Sequence, residues 1–420
     1  MIDVREKVKL FFEETVDLNR SLVGSGINIF FQKLKSYIPI EIIEFKSGYK
    51  AFDWEVPKGW DLIDGGIFDS KGKPIITTDL DPLCVWTNSV PVSINISKED
   101  LFKNHISWVD EYPDAIPYNY KYYEKKWGFS ISKNMISEFV ETDYTVNINA
   151  RHYNDSLKVG RYIIKGKSEK SIIIACHVDH PYQLLDGLSG AGGAIALIEN
   201  LEKNENLFTY VFLFFPETIG SLAYFSLPNS EKDVIYAVFL DMLCDSSKLT
   251  VQRSLKGDTV IDRVSEIIGK KWKSDIQFTS FRELPGNDEM VMNGPGVGIP
   301  SLLVFRWPSK LYHTNADNMN AYNENNFFES IDYVMELLKM LENEIRVVNV
   351  KRGIINLSKN QLWDDYGKGK NRRSFEIATS LMDGSHSYDE IKISSGFSGK
   401  GLDNLVKKLE QKKLVVTCLD

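Results

Sequence analysis

Cysteine is scarce in this chain of 420 residues, and the few cysteines present have no neighbour to pair with. The four of them, Cys84, Cys176, Cys244 and Cys418, lie far apart and form no C-x-x-C pair. This spacing excludes a disulfide framework and a zinc site built on thiolates. It is typical of a reducing compartment, and we predict a cytoplasmic location.

Long hydrophobic runs and an excess of positive charge are missing as well. No segment approaches the roughly 18 uninterrupted apolar residues of a membrane span. The N-terminal stretch MIDVREKVKLFFEETVDLNR lacks the apolar core of a signal peptide. The formal net charge of -8 at pH 7 gives no general attraction to phosphate backbones or anionic lipid. We therefore expect a soluble protein without a membrane partner, in which nucleic-acid binding would need a local basic patch.

The middle of the chain alternates strand and helix patterns, as an α/β protein does. The segments Ile172 to Cys176 and Val211 to Phe215 are continuously apolar, which a sheet buried on both faces requires. The helical pattern LSGAGGAIALIENLEK lies between these two strands. We predict a three-layer α/β/α core with a mixed sheet, formed by residues 1–46 and 146–348.

Two other regions differ from this core in their sequence patterns. Residues 47–145 contain short strands, aromatic residues and turn dipeptides, which predict an inserted small β-rich domain. Residues 352–420 give helices, turns and a terminal strand, which predict a winged-helix-like domain. Its last helix mixes lysines with acidic residues and has no arginine for bidentate base contacts. A protein partner or a second copy of the chain is favoured there over nucleic acid.

Candidate metal ligands begin in the segment IIIACHVDH. His177 and Asp179 lie two apart at the end of a predicted strand, so their side chains leave on the same face. Asp179 suits a carboxylate that orients a metal-bound imidazole. A histidine and an aspartate satisfied within a loop explain this segment equally well. Asp186 precedes the glycine-rich helix, where a metal-bridging carboxylate and a helix cap are both reasonable interpretations.

Three more candidates follow other predicted core strands. Glu217 comes after the apolar strand in FLFFPET, a place that suits a general base. Asp241 ends YAVFLD, and His313 follows PSLLVFRW after a short loop. Each alone is explained by a turn or a surface loop, but strand ends converge on one edge of an open α/β sheet. Histidines with carboxylates and no thiols suit an open catalytic zinc site.

The order of these motifs resembles that of the co-catalytic zinc aminopeptidases and their carboxypeptidase and glutaminyl-cyclase relatives. The resemblance covers residues 146 to 345 and rests on His-x-Asp, an Asp before a Ser-Gly helix, a Glu-centred loop, Leu-Asp-Met and Tyr-His-Thr. The whole chain also resembles bacterial proteins with an aminopeptidase-like domain that are often named with polysaccharide biosynthesis. This second resemblance rests on DWEVPKGW, DAIPYNYKYYEKKWGF, FPETIGS and YHTNAD.

The resemblance implies a metal site and a role for each candidate residue. Its metal ligands would be His177, Asp186, Asp241 and His313, with Asp186 bridging two ions. Glu217 would deprotonate the attacking water, and Asp179 would orient the first histidine. In the two-zinc enzymes the residue after the base is a second glutamate that binds metal, whereas here it is Thr218. The number of zinc ions, one or two, therefore stays open. Asp288 or Glu289 is expected to replace the missing ligand or to bind a substrate amine.

The function that this resemblance implies is that of a zinc-dependent hydrolase, an aminopeptidase that cleaves N-terminal residues from peptides. One alternative is a deacylase or amidase that acts on a sugar-linked amide with the same metal chemistry. Another is an inactive, metal-poor binding scaffold, which Thr218 favours. Cyclases share the motif order, so the reaction type also stays open.

Overall fold

The computed structural model describes residues 3–342, 345–351 and 353–419. In chain order, its α-helices are α1 (Val4–Thr15), α2 (Ser25–Tyr37), α3 (Lys98–Asn104), α4 (Leu188–Leu201), α5 (Ile219–Phe225), α6 (Val260–Gly269), α7 (Glu289–Asn293), α8 (Glu324–Glu342), α9 (Trp363–Tyr366), α10 (Gly369–Leu381), α11 (Tyr388–Ser395) and α12 (Gly399–Gln411). Its strands are β1 (Glu41–Lys46), β2 (Lys50–Ala51), β3 (Trp54–Glu55), β4 (Gly59–Phe68), β5 (Pro74–Thr77), β6 (Val92–Ser97), β7 (Ile106–Ser107), β8 (Phe129–Ser130), β9 (Asp143–Tyr153), β10 (Ser156–Ile164), β11 (Ser171–His177), β12 (Thr209–Phe215), β13 (Val234–Leu240), β14 (Leu249–Gln252), β15 (Gln277–Thr279), β16 (Ser301–Arg306), β17 (Ile345–Asn349), β18 (Asp383–Ser387) and β19 (Val415–Leu419).

The chain forms two compact units. The first comprises Met1–Leu255 and Asp275–Asp332, and the second comprises Lys256–Ser274 and Tyr333–Asp420. The sequence-based boundaries differ from this division, because they assign residues 256–274 and 333–348 to the larger domain. Those boundaries stay a prediction. Within the described ranges, none of the helices combines the length and the apolar character needed to cross a membrane.

An eight-stranded sheet dominates the first unit, in the order β1-β10-β12-β11-β13-β16-β14-β15. The central strands β12, β11, β13 and β16 run parallel, whereas β1, β10 and β14 pair antiparallel with neighbours. All seven residues of β11 are buried, and in β12 every residue but Val211 is buried, as expected from the apolar segments Ile172 to Cys176 and Val211 to Phe215. The predicted mixed α/β fold with a large mixed sheet is confirmed.

Helix α4 lies directly on the central strands because its first turns are built from small residues. A Cβ atom added to Gly190 would lie 2.3 Å from the Leu240 carbonyl oxygen and 2.7 Å from Cys176 Cβ. A larger residue would therefore push the helix away from β11 and β13. This close approach places the loop before α4 beside the end of β11.

A second, four-stranded sheet in the order β5-β4-β9-β6 has a hydrophobic cluster of its own. This cluster includes the buried residues Trp60, Ile67, Phe129, Phe139 and Val146. Short helix α3 packs on β6 and β7 next to this sheet. Most of this sheet lies between residues 47 and 145, and the inserted domain expected there from the sequence stays a prediction.

The buried carboxylate of Asp61 joins this second sheet to the N-terminus of α2. It accepts hydrogen bonds from the Ser25 backbone N–H at 2.8 Å and from Ser25 Oγ at 2.7 Å. Arg151 Nη2 and Tyr153 Oη donate to its other oxygen at 2.8 and 2.9 Å. Burial alone would raise the pKa of Asp61, but these hydrogen bonds outweigh it and the pKa is lowered.

We expect Asp61→Asn to lower the free energy of unfolding at pH 7 by about 1–3 kcal/mol, because hydrogen bonds to a charged group are lost. A carboxyl group with a lowered folded-state pKa stabilises the protein above its ordinary pKa, which is 3.8. That stabilisation disappears as the pH falls through the folded-state pKa. Urea unfolding at pH 7 and at about pH 3.5 should show the difference from wild type narrowing in acid.

Asp64→Asn is the matched control for this experiment, because Asp64 is an exposed residue on the same strand. Its free energy of unfolding should stay within about 0.5 kcal/mol of wild type. If Asp61→Asn lowers the free energy of unfolding by the same amount at both pH values, the electrostatic explanation is contradicted.

The second unit contains a three-stranded antiparallel sheet in the order β18-β17-β19 together with α6 and α9 to α12. Its hydrophobic cluster includes Val347, Phe375, Ile391, Leu402, Leu405 and Leu409. Helix α11 begins with a capping box in which Ser387 and Glu390 each bond to the other's backbone N–H. The helices and the terminal strand lie where the sequence predicted them, and the winged-helix interpretation stays a prediction.

Candidate metal centre

The candidate residues lie where the parallel strands of the large sheet end. Strands β11, β12, β13 and β16 are parallel neighbours, so their carboxyl ends meet at one edge. His177 is the last residue of β11 and is paired in register with Phe215, two residues before Glu217. Asp241 directly follows β13, and His313 lies on the loop after β16. The fold thus brings together residues that are up to 136 positions apart in the sequence, from His177 to His313.

Asp186 lies between the two predicted histidine ligands. Its Oδ1 is 3.1 Å from His177 Nε2, and its Oδ2 is 3.0 Å from His313 Nε2. His177 Nε2 is also 3.4 Å from Asp241 Oδ1. Gly187, with φ at +84°, donates its N–H to Asp241 Oδ1 at 2.9 Å. The four residues predicted as metal ligands are therefore neighbours in space.

A third imidazole, that of His180, lies in the same cluster. Its Nδ1 is 2.9 Å from Asp186 Oδ1, and its Nε2 is 3.3 Å from Glu217 Oε2. Donor atoms of His177, His180 and Asp186 all lie within 4.8 Å of one another, as do those of Asp179, His180 and Glu217. Both groups have the donor types and the spacing that a metal ion requires.

Several of these donor atoms lack a hydrogen bond within the described part of the chain, which fits a role as metal ligands. Several of their buried atoms make no hydrogen bond with any described residue, namely His177 Nε2, His180 Nδ1, His180 Nε2, Asp179 Oδ2, Asp186 Oδ2 and His313 Nε2. Buried polar atoms are normally paired, and a cluster of unpaired nitrogen and oxygen atoms has the donors that a metal ion would bind. Two or three imidazoles with carboxylates and no thiolate form a donor set that suits zinc.

Charges in the cluster shift the pKa values of its members strongly. Burial would lower the pKa of His177, but Asp241, Asp179 and Asp186 outweigh it and raise the pKa well above the ordinary value. Burial would raise the pKa of Asp186, but the neighbouring imidazoles of His180, His177 and His313 hold it well below the ordinary value. The Asp186 carboxylate therefore stays ionised at neutral pH and offers a negative charge to a cation.

Two further residues orient the predicted ligands. Asp179 Oδ1 is 3.4 Å from His177 Nδ1 and accepts the Glu217 backbone N–H at 2.7 Å. Asn287 Nδ2 donates to Asp241 Oδ2 at 3.0 Å. Such partners fix the orientation of a metal-binding side chain. The aspartate was predicted in this role from the sequence, whereas Asn287 was not.

Fully buried Arg20 holds the loop that carries His180. Its Nε donates to the Val178 carbonyl at 3.1 Å, and its Nη2 donates to the carbonyls of His180, at 2.9 Å, and Gln183. Nη1 donates to the Thr15 carbonyl at 2.7 Å. Burial lowers the pKa of Arg20 to about 10, so the guanidinium remains charged at neutral pH. The arginine therefore fixes the backbone on both sides of the third imidazole.

Asp317 holds the loop that carries Asp186. Its carboxylate accepts the backbone N–H groups of Leu184, Leu185 and Asp186, the first at 2.9 Å and the last at 3.0 Å. Burial raises the pKa of Asp317 to about 7. The side chain is thus a support for the loop before α4.

The turn after Glu217 is supported by Asp288. Thr218 has φ at +61°, which is rare for a β-branched residue, and its N–H donates to Asp288 Oδ1 at 2.8 Å. Ser221 Oγ donates to the same oxygen. Glu289 accepts a hydrogen bond from Gln252 Nε2 at 2.7 Å. Neither acidic residue belongs to the compact donor groups found among the described residues.

Tyrosine rings pack against two of the histidines. The rings of Tyr118 and His180 have centroids 5.1 Å apart, and Tyr312 stacks on His313 at 3.9 Å. Tyr118 N–H donates to the His313 carbonyl at 2.7 Å. The tryptophans of the β-rich region are engaged elsewhere, since Trp60 Nε1 bonds to the Ser89 carbonyl and Trp86 Nε1 to Ser107 Oγ. Tyrosines therefore form the aromatic wall next to the site.

Residues 10–344 match the family described as Domain of unknown function (DUF4910). The chain belongs to this family. A relative from Clostridium acetobutylicum, named as a polysaccharide biosynthesis protein with aminopeptidase-like domain, is 31% identical over 392 residues. The alignment covers 91% of this chain and 90% of the relative. The resemblance to aminopeptidase-like proteins, stated from the motifs, is confirmed.

Known crystal structures share the fold of this DUF4910 chain. A peptidase from Clostridium acetobutylicum has a TM-score of 0.81 and 28% identity, covering 99% of this chain and 96% of that protein. A zinc aminopeptidase from Bacillus subtilis has a TM-score of 0.59 and 13% identity, covering 80% and 94%. A peptidase M28 precursor from Shewanella amazonensis has a TM-score of 0.57 and 11% identity, covering 80% and 94%. The chain therefore has the zinc-aminopeptidase fold.

Besides Asn287, sequence reasoning missed two residues that the structure places in or beside the cluster, His180 and Arg20. His180 stands three positions after His177 in the segment HVDH, so a second imidazole so close to a candidate ligand was a usable signal. Arg20 gave no such signal, because it lies in an N-terminal region whose sequence shows only amphipathic helices. Its contacts to residues more than 150 positions away depend on the tertiary fold.

Proposed function

We propose that this protein is a zinc-dependent hydrolase of the aminopeptidase type, which removes N-terminal residues from peptides. One observation carries the proposal: the two carboxylate oxygens of Asp186 face the imidazoles of His177 and His313 at 3.1 and 3.0 Å. A carboxylate between two such ligands suits a bridge in a metal centre. The zinc-aminopeptidase fold supports this interpretation.

Zinc would be held by His177, Asp186, Asp241 and His313, as one ion or two. Zinc held there would lower the pKa of a water molecule and polarise the substrate carbonyl. The unpaired buried atoms of the cluster support this assignment, since a metal ion would satisfy them.

Glu217 is the residue to which we assign proton transfer. Its side chain is 29% exposed, so a substrate and a water molecule can reach it, and its backbone N–H is fixed by Asp179 Oδ1 at 2.7 Å. The carboxylate takes a proton from the water as the water oxygen bonds to the carbonyl carbon. It then delivers that proton to the amine nitrogen as the C–N bond breaks. Asp179 also keeps the His177 ring in position.

A second candidate function is deacylation or amide hydrolysis on a sugar-linked substrate. The observation that favours it is the name of the 31% identical relative, which refers to polysaccharide biosynthesis. The same proton transfers apply, because an amide bond is broken in both reactions. Tyrosines beside the histidines suit either a peptide or a sugar ring.

Zinc stoichiometry tests the proposed function before any substrate is chosen. We expect about one or two zinc ions per wild-type chain by mass spectrometry of the metal, as in open catalytic sites. Asp241→Ala should lose at least one of them, because an anionic ligand disappears. Asp275→Ala is the matched control, since Asp275 is exposed and pairs only with Lys248 among the described residues.

The outcome also decides between the candidate functions. If the wild type contains zinc and Asp241→Ala loses it, aminoacyl peptides and N-acyl amino sugars should both be assayed as substrates. The class that is hydrolysed faster would identify the reaction. Absence of zinc in wild type, even after zinc is added, would reject both hydrolase proposals and favour a binding scaffold.

A further inference from the structure

His180 has the geometry of a metal ligand, and no role is yet assigned to it. The imidazole is 2% exposed, and Nδ1 lies 2.9 Å from Asp186 Oδ1. Both ring nitrogens lack a hydrogen bond with any described residue. With His177 and Asp186 it forms a group of donor atoms within 4.8 Å of one another.

We propose that His180 binds the metal directly through Nδ1, beside His177 and Asp186. It adds an imidazole to a centre in which Thr218 stands where the two-zinc enzymes have a metal-binding glutamate. Imidazoles and carboxylates are the donor types of many catalytic zinc sites, and His180 would join the ligands already assigned, namely His177, Asp186, Asp241 and His313. This inference rests on the proposed zinc chemistry.

The other ring nitrogen supports this assignment. His180 Nε2 lies 3.3 Å from Glu217 Oε2. Metal-binding histidines usually direct their second ring nitrogen to a carboxylate or a carbonyl, which fixes the tautomer. With its proton on Nε2, the ring presents the lone pair of Nδ1 toward Asp186.

The backbone holds the imidazole in this position at a conformational cost. His180 has φ at +79°, a region that non-glycine residues rarely occupy. The buried Arg20 accounts for it, since Nη2 donates to the His180 carbonyl at 2.9 Å. Strained residues of this kind persist where the surroundings fix them, and they concentrate at functional sites. The loop thus aims the ring into the cluster.

Thr218 cannot take this role. Its hydroxyl is neutral and is a poor zinc ligand compared with an imidazole or a carboxylate. Its backbone N–H is bound to Asp288 Oδ1 at 2.8 Å, on the turn that follows Glu217. Asp288 therefore anchors this turn. Among the described residues, Asp288 does not belong to the groups of side chains that are close enough together to bind one metal ion.

Zinc affinity, measured by competition with a chromophoric chelator, tests the proposal without a substrate. We expect His180→Ala to raise the Kd for zinc more than about 100-fold, because even partners that only orient a ligand cost about 10- to 100-fold. Thr218→Ala and His386→Ala should each stay within about 3-fold, as they remove no ligand. The visible spectrum of the Co²⁺-loaded protein should also change in His180→Ala alone.

The outcomes separate the failure of this inference from that of the proposed function. Tight zinc binding in wild type and in His180→Ala alike would overturn the ligand role and leave the hydrolase proposal standing. If Thr218→Ala weakens zinc binding and His180→Ala does not, the ligand role of His180 would also be overturned. A wild type that binds no zinc would reject both proposals. Circular dichroism and thermal melting of the metal-free variants show whether a weakened affinity comes from misfolding, and His180→Gln gives a second variant of similar polarity.

Discussion

Glu217→Gln is expected to lower kcat/KM about 10²- to 10⁴-fold while leaving the zinc content unchanged, because general acid–base catalysis contributes about that much. Glutamine has nearly the same shape but cannot accept the proton of the attacking water. The backbone N–H that Asp179 holds is retained, so the turn after β12 should keep its conformation. Activity on the best substrate and metal content are measured on the same preparation.

Glu205→Gln is the control for this variant. Glu205 is exposed and pairs with Lys167 at the surface, so its loss should leave kcat/KM within about 2-fold. Full activity in Glu217→Gln would show that another group moves the proton. Loss of zinc together with activity would make Glu217 a metal ligand instead of the base.

The convergence of most site residues could be predicted from local patterns. Continuous apolar strands indicated a sheet buried on both faces, and residues at the carboxyl ends of parallel strands meet at one edge. His177, Glu217 and Asp241 all follow this rule, each at or just after the end of its strand. The glycines of α4 allow the close approach that brings Asp186 beside β11.

The rest of the site depends on contacts that sequence spacing does not encode. Asn287 reaches Asp241 across 46 positions, and Asp317 binds backbone N–H groups more than 130 positions away. His313 lies seven residues after the end of its strand, and Tyr118 from the β-rich region donates to its carbonyl. Such pairings arise from tertiary packing, so an isolated motif cannot reveal them.

Arg20→Met is expected to lower the free energy of unfolding of the metal-free protein by about 3–5 kcal/mol, because a buried charge and its partners are uncoupled. Methionine has a similar length but no donors, so the carbonyls of Val178, His180 and Gln183 would lose their bonds. The carboxylates of Asp317 and Asp179 would also lose their favourable interaction with the buried guanidinium. Urea unfolding of the metal-free protein measures this loss.

Zinc binding should weaken in the same variant, since the loop from 178 to 183 would no longer be held with the His180 ring directed into the cluster. Arg20→Lys keeps the charge but replaces a planar five-donor group with a single ammonium, so we expect an intermediate loss of stability. Arg372→Met is the surface control, because Arg372 makes an exposed ion pair with Glu376 worth less than about 0.5 kcal/mol. If Arg20→Met unfolds like wild type but binds zinc weakly, the arginine acts on the metal centre alone. If it loses neither property, the loop is positioned by other contacts, and the strained backbone at His180 must be explained without Arg20.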